Sequence, residues 1–282
     1  MIIVDWNFNR LCNFGCAYCV NDPSDKAFIG PTFEQVKPAI DKLTKDYFFA
    51  FTGGELLLNP DFIKIAKHIT QRFNIGIYSN LSLPMDDFIK EIDPARVKWI
   101  VGSLHVTERD RLGISRGHIV NEYAKLKNAG FDKVYIIQVC DSYALSEYDK
   151  FFMWYKERGI LVIPNRLKSS AWFKQEYTPE EEAKMLYYVN ETKCTLFPFE
   201  MSEYLDRSGQ KCFAGNRYMV ITANGMIRKC WSDHTKWYGN FYQSQLWNEN
   251  SLSELPTICK MKACSCFPSN LHYAEIMGTT CK

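Results

Sequence analysis

The chain has 282 residues, 46% of them apolar and 23% charged, with a formal net charge of +2; this balance fits one large folded domain plus a small one and excludes a disordered chain. Such a charge gives no electrostatic reason to expect a nucleic-acid or membrane partner. The opening MIIVDWNFNR lacks the basic start and apolar run of a signal peptide, and no window is long enough to span a membrane, so the expected location is the cytoplasm.

Strand-like and helix-like segments alternate along the first part of the chain. Strands are read over Ile2 to Asn7, Tyr47 to Phe51, Ile75 to Tyr78, Lys98 to Ser103, Lys133 to Val139 and Ile160 to Ile163, all short and rich in β-branched and aromatic residues. Between them, Thr32-Phe-Glu-Gln35 spells a capping box, Asn59-Pro60 puts proline at a first helical position, and Gly130 and Gly159 read as C-terminal stops. This alternation implies an α/β fold with a parallel sheet and right-handed crossovers, an open, partial (β/α)6 barrel rather than a closed eightfold one. After Ile163 come a loop from Pro164 to Tyr177, a helix opened by Thr178-Pro-Glu-Glu, and a cysteine-rich tail whose Ala223-Asn224-Gly225 signals a hairpin. The expected division is a barrel domain over 1–193 and a small metal-stapled domain over 194–282.

Eleven cysteines, an odd count, favour metal ligation over a disulfide framework. Cys12, Cys16 and Cys19 lie in one short loop after the first strand. Three thiolates leave one iron of a four-iron cluster open, whereas a purely electron-carrying cluster ties every iron to cysteine. Extended, this segment would span roughly 23 to 25 Å, so it must curl tightly, and Gly15 is the residue expected to supply a left-handed backbone. Zinc is the alternative, although structural zinc sites are closed by four ligands and no histidine lies nearby in sequence.

The C-x3-C-x2-C spacing, with Tyr18 just before the third cysteine, resembles the radical S-adenosylmethionine (SAM) superfamily. The resemblance implies a [4Fe-4S] cluster on Cys12, Cys16 and Cys19 whose fourth iron is chelated by SAM. It also implies one-electron cleavage of SAM to a 5′-deoxyadenosyl radical that takes a hydrogen from substrate. Gly53-Gly54-Glu55, after the second strand, is similar to the family's GGE motif, which receives the SAM amino group; two glycines permit close backbone approach, and their carbonyls with Glu55 suit an ammonium. Ser79 and Asn80 at the end of the third strand, and Ser103 at the end of the fourth, fall where the family places polar contacts to SAM. His105 and Asp141 sit at the ends of the fourth and fifth strands, where a barrel presents its chemistry, and are the expected substrate-side residues. Gln138 and Cys140 share that position, Cys140 reading as a small apolar residue.

Cys212, Gly225 and Cys230 resemble the C-x9-15-G-x4-C opening of the SPASM and Twitch domains of that superfamily, which hold auxiliary clusters. Cys259, Cys264, Cys266 and Cys281 follow, too few for two fully ligated clusters. The expectation is one auxiliary iron–sulfur cluster in a Twitch-like domain, on Cys212, Cys230 and two others, with Cys264 and Cys266 preferred and Cys259 held in reserve. Zinc is again the alternative. The aromatic run Phe151 to Tyr155 is expected in the core, and the basic, aromatic loop Arg166 to Lys174 in solvent.

By resemblance the chain is a radical SAM enzyme that modifies a peptide or protein side chain, with an external electron donor of flavodoxin or ferredoxin type. Oxidation or rearrangement of a small metabolite, such as a nucleotide or sugar, is the second reading, and a non-catalytic iron–sulfur carrier the third.

Overall fold

The computed structural model describes residues 1–19, 21, 28–167, 173–192, 208–233, 235 and 237–262. Strands β1 (Ile2–Asn9), β2 (Tyr47–Gly53), β3 (Asn74–Ser79), β4 (Val97–Leu104), β5 (Val134–Cys140) and β6 (Val162–Arg166) pair side by side, all parallel, in chain order. The expected strands are all present, and together with the helices they give the α/β, partial-barrel architecture. Helices α1 (Phe33–Asp41), α2 (Phe62–Thr70), α3 (Asp86–Glu91), α4 (Val106–Arg111), α5 (Arg116–Asn128), α6 (Ser142–Ser146) and α7 (Tyr148–Lys156) lie in the crossovers, and α8 (Pro179–Thr192) follows β6.

Burial on both faces explains why these strands read as near-continuous apolar runs. Val4, Trp6, Phe8, Phe49, Phe51, Ile75 and Ile77 pack with the helices in the main core. The alternate residues Ile3, Phe48, Ala50, Val101, Ile137 and Ile163 form a second buried cluster on the other face. On that face Trp99 covers Gly76, where any Cβ would collide with the indole. Phe151, Phe152 and Tyr155 are buried, as expected, while Met153 between them is half exposed.

The caps were largely legible. Thr32 and Gln35 form the capping box of α1. Thr178 and Glu181 form another at the start of α8, each side chain accepting from the other's backbone N–H at 3.2 and 2.9 Å. Gly130 and Gly159 close α5 and α7 with φ of +88° and +75°. Pro60 is a correction: α2 begins only at Phe62. Asn59 folds the chain into an Asx turn, its Oδ1 accepting from Asp61 N–H at 2.8 Å, and Asp61 Oδ2 accepts from Phe33 N–H at 2.9 Å rather than capping α2.

The tail is described from residue 208 onward, where it joins the main sheet. Strands β8 (Tyr218–Ile221) and β9 (Met226–Arg228) form the expected hairpin, β10 (Trp237–Asn240) pairs with β9, and β8 runs parallel to β1. The sheet therefore has nine strands, in the order β10-β9-β8-β1-β2-β3-β4-β5-β6. Strands β7 (Lys211–Cys212) and β11 (Thr257–Ile258) form a separate two-stranded ribbon. Asp5 of β1 accepts from Trp231 Nε1 at 2.7 Å and Tyr218 OH at 3.0 Å, adding a half-buried polar tie between sheet and tail. Among the described residues no helix is long and apolar enough to cross a membrane.

Candidate active site

The sequence-predicted residues of the first 105 positions lie at and just beyond the carboxyl ends of β1 to β4. Strand β1 ends at Asn9, which is fully buried and latches two loops together. Its Nδ2 donates to the Glu55 carbonyl at 2.8 Å, its carbonyl accepts from Gly54 N–H at 2.8 Å, and Glu55 N–H donates to the Leu11 carbonyl at 2.9 Å. The cysteine loop and the Gly-Gly-Glu turn are thus backbone-to-backbone neighbours. Gly53 has φ of +135°, and a Cβ there would meet the Asn9 carbonyl; a Cβ on Gly54 would run into the Leu11 carbonyl. Both glycines are required by the close approach of the end of β1 and the start of the cysteine loop.

Glu55 is fully buried and faces inward. Its carboxylate accepts from Ser79 Oγ at 2.9 and 3.0 Å, Asn80 N–H at 2.8 Å and Leu57 N–H at 3.3 Å. Burial pushes its pKa up, against the hydrogen bonds from Asn80, Ser79 and Leu57, which favour the ionised form. Glu55 consequently ties the end of β2 to the end of β3. Asn80 extends the chain of contacts: its Nδ2 donates to Asn13 Oδ1 at 3.0 Å and lies 3.8 Å from Cys12 Sγ. Three motifs far apart in sequence meet at this junction.

Cys16 is buried and Cys12 and Cys19 half-buried; all three pack in one cluster with Phe14, Tyr18, Val139 and Leu167. Burial, then the charge of Glu108 and of the other two thiols, pushes the Cys16 thiol up to about 12, against a lowering contact from Tyr18. Desolvated and mutually repelling thiolates suit a polycationic iron centre, which both deprotonates and neutralises them. Phe14 N–H donates to Cys12 Sγ at 3.4 Å, a further contact suited to thiolate. Among the described residues no three Cys, His, Asp or Glu side chains are already set as ligands of one metal ion. The donor set, three cysteines on a loop braced by backbone N–H groups and an amide, fits a cluster with one open iron.

Gly15 is another correction. Its φ is not in the left-handed region; its N–H donates to Glu108 Oε2 at 2.7 Å, and Glu108 in turn pairs with Arg111 Nη2 at 2.7 Å. The loop curls by being anchored to α4, not by a left-handed glycine. Sequence reading missed Asn9, Glu108 and Arg109 here; the only signal was their place at a strand's carboxyl end, Asn9 as the last residue of β1 and the other two in the helix that follows β4.

His105 stacks on Tyr18 with ring centroids 5.9 Å apart, its Nδ1 3.1 Å from the Tyr18 hydroxyl, and meets Phe14 edge-on. Loss of water, then the nearby Arg109 charge, lowers its pKa to about 4, so the ring is neutral at physiological pH, and burial raises the Tyr18 phenol. Ser103 is half-buried on β4, paired in register with Ile137. Asp141 caps α6, accepting from Ala144 N–H at 2.7 Å, and accepts from Thr107 Oγ1 at 2.6 Å. Gln138 is fully buried with Nε2 donating to the Ala144 carbonyl, and Cys140 lies in an apolar cluster with Tyr148, Phe152 and Met185.

In the tail, Cys212, Cys230 and Cys259 are all buried and share one cluster with Tyr218, Trp231 and Met261. Pairing of β7 with β11 sets Thr257 opposite Cys212, and Cys259 N–H donates to the Gln210 carbonyl at 2.8 Å, which holds Cys259 beside the ribbon. Burial, then the charges of Cys259 and Cys230, raises the Cys212 thiol, partly offset by the Ala214 backbone and Lys229. Cys194, Cys264, Cys266 and Cys281 lie outside the described residues, as does the middle of the basic loop from Arg166 to Lys174. Arg166 itself pairs with Glu182 at 2.6 Å.

Residues 6–143 match the sequence model of the radical SAM superfamily. Among solved structures, anSMEcpe with bound AdoMet and the Cp18Cys peptide superposes with a TM-score of 0.59 at 14% identity, covering 97% of this chain and 93% of that one. Streptococcus suis SuiB superposes with a TM-score of 0.57 at 15% identity over 89% of this chain and 66% of that one; SuiB bound to its precursor peptide SuiA gives the same score. These likenesses are of fold. Curated relatives match locally: GTP 3′,8-cyclase of Acaryochloris marina is 37% identical over 65 residues, and that of Microcystis aeruginosa 29% identical over 85. Those matches span 20% and 25% of the relatives' own lengths.

Proposed function

Starting from a chain whose residues 6–143 are a radical SAM domain, and which is therefore a SAM-dependent iron–sulfur enzyme, we propose that it abstracts a hydrogen from a peptide or protein side chain. The single observation that carries the site assignment is the junction at Asn80: Cys12, Asn13 and Glu55 all contact that residue, and Gly54 rests on the loop bearing Cys12. Cys12, Cys16 and Cys19 would hold the [4Fe-4S] cluster. Bound there with SAM on the open iron, the cluster would supply the electron that releases a 5′-deoxyadenosyl radical.

The residues divide the remaining work. Carbonyls of the Gly53–Gly54 turn accept from the SAM ammonium, while Glu55 holds that turn against Ser79 and Asn80. Asn80 and Ser103 serve the ribose and carboxylate, and Tyr18 with neutral His105 forms an apolar, stacked wall. Such a wall excludes water from a reactive radical without offering a titrating group. His105 and Asp141 face the substrate side, Asp141 doing so from the cap of α6.

In the tail, Cys212, Cys230 and Cys259 would hold an auxiliary cluster in a Twitch-like unit, with a fourth ligand from the later cysteines. This promotes Cys259 from reserve to first choice. A flavodoxin- or ferredoxin-type protein would supply electrons. Peptide as substrate class is supported by the two peptide-binding proteins of like fold; the GTP 3′,8-cyclase matches support a nucleotide as the second reading. The non-catalytic carrier is set aside, since the chain is an enzyme.

Anaerobic reconstitution with iron and sulfide, followed by SAM and dithionite, tests this. The protein should release 5′-deoxyadenosine, and Cys16→Ala should reduce that release to background. Full release from the Cys16 variant would refute the cluster assignment.

A further inference from the structure

Helix α4 carries the run Glu108-Arg-Asp-Arg111, which in sequence looks like a solvated helix face. Arg109 is nonetheless only 2% exposed. One Nη2 donates to the Asn80 carbonyl, while Nε and Nη1 have no partner. Among the described residues it has no ion-pair partner. The Phe14 ring, between Cys12 and Cys16, lies 5.8 Å from its guanidinium carbon. A buried guanidinium that touches no carboxylate directly carries a large desolvation cost, only partly offset by the charge of nearby Glu55, so its retention asks for a compensating role.

Residue 80 supplies one. Its N–H donates to the buried Glu55 carboxylate at 2.8 Å, and its carbonyl accepts from the buried Arg109. An anion and a cation thus grip the same residue from its two backbone ends, and its side chain is the one that reaches Cys12 and Asn13. Each hydrogen bond is charge-assisted, the stronger kind, and each lies out of water. Burial lowers the Arg109 pKa only to about 10, so the cation persists at neutral pH.

We propose that Arg109 is a positioning residue for the cysteine-loop chemistry: it fixes Asn80 against Cys12 and sets a positive charge beside Phe14. This rests on the reading of the cysteine loop given above. Two consequences separate. Fixing Asn80 governs how well SAM is held. The charge governs the potential of the centre, because net charge and hydrogen bonds near the sulfurs set iron–sulfur potentials.

The test compares reconstituted full-length wild type, Arg109→Gln and Arg109→Lys, reading KM for SAM in 5′-deoxyadenosine release and the midpoint potential of the SAM-sensitive iron–sulfur signal. Arg109→Gln should raise KM about tenfold, the equivalent of one lost charge-assisted hydrogen bond, and move the potential to more negative values. Arg109→Lys, which keeps the charge but not the reach, should raise KM and leave the potential where wild type has it. A Gln variant with wild-type KM and potential, or a Lys variant whose potential moves as far as the Gln variant's, overturns the proposal. If the Gln variant takes up no iron, the Lys variant decides, and a wild-type KM there overturns the proposal. A wild type lacking any SAM-sensitive signal would refute the underlying reading itself, whereas a normal wild type with unaffected variants refutes only the role of Arg109.

Discussion

At the scale of single residues, the cysteine loop works because its neighbours are small or polar at defined points. Gly54 is the sharpest case, since any side chain there meets the Leu11 backbone on the cysteine loop. Gly54→Ala should lower the unfolding free energy of the metal-free protein by about 1–3 kcal/mol, the usual cost of overpacking, as read by urea denaturation. A variant as stable as wild type would mean that the two loops can part without loss. Cysteine spacing and the Gly-Gly-Glu turn were legible because both chemistries need fixed residue types at fixed spacing. Arg109 was not, because burial of one charge in a charged run is decided by where α4 packs, which local sequence does not encode. Gly15 misled for a related reason: its role is an N–H aimed at Glu108, set by tertiary contact rather than by backbone freedom.

At the scale of elements, five of the six strands were read to within one or two residues because most of their length is buried on both faces and mainly apolar, whereas β6 was read as ending at Ile163 and runs on to Arg166 through the polar Asn165. Helix starts were read where a side chain caps its own helix, as Thr32 and Thr178 do, and misread at Pro60, where the side chains of Asn59 and Asp61 serve other partners. Glu249 shows a tie that no local pattern reveals. It lies in a short 3-10 turn, is 8% exposed, and accepts from Thr44 N–H at 3.2 Å, from Thr44 Oγ1, and from Tyr47 OH at 3.0 Å, fastening the tail to the α1–β2 connection. Burial opposes ionisation, but those hydrogen bonds outweigh it and the folded pKa lies below the usual value. A lowered folded pKa means stability that is present above the unfolded value near about 4.3 and lost as pH falls through the folded one. Glu249→Gln should therefore cost about 1–2 kcal/mol at pH 7 and flatten the decline in stability below about pH 5. An unchanged acid limb in thermal melts would show that this carboxylate does not matter.

At the scale of the whole molecule, the parallel sheet and its crossovers followed from the order of elements, but the parallel pairing of β8 with β1 did not, because long-range register leaves no trace in local periodicity. That pairing brings the Cys212, Cys230 and Cys259 cluster onto the same sheet face as Ile3 and Trp99. If a second cluster sits there, Cys230→Ala should lower iron content while leaving the SAM-dependent signal of the cysteine loop in place, as read by iron assay and electron paramagnetic resonance. The central claim is that Cys12, Cys16 and Cys19 expose one iron to SAM, and the spectrum of the dithionite-reduced protein before and after SAM addition tests it most directly. The account predicts a SAM-induced change in the signal that vanishes in the Cys12→Ala, Cys16→Ala, Cys19→Ala triple variant. A reduced wild-type spectrum indifferent to SAM, or a SAM-induced change that survives in the triple variant, would contradict it.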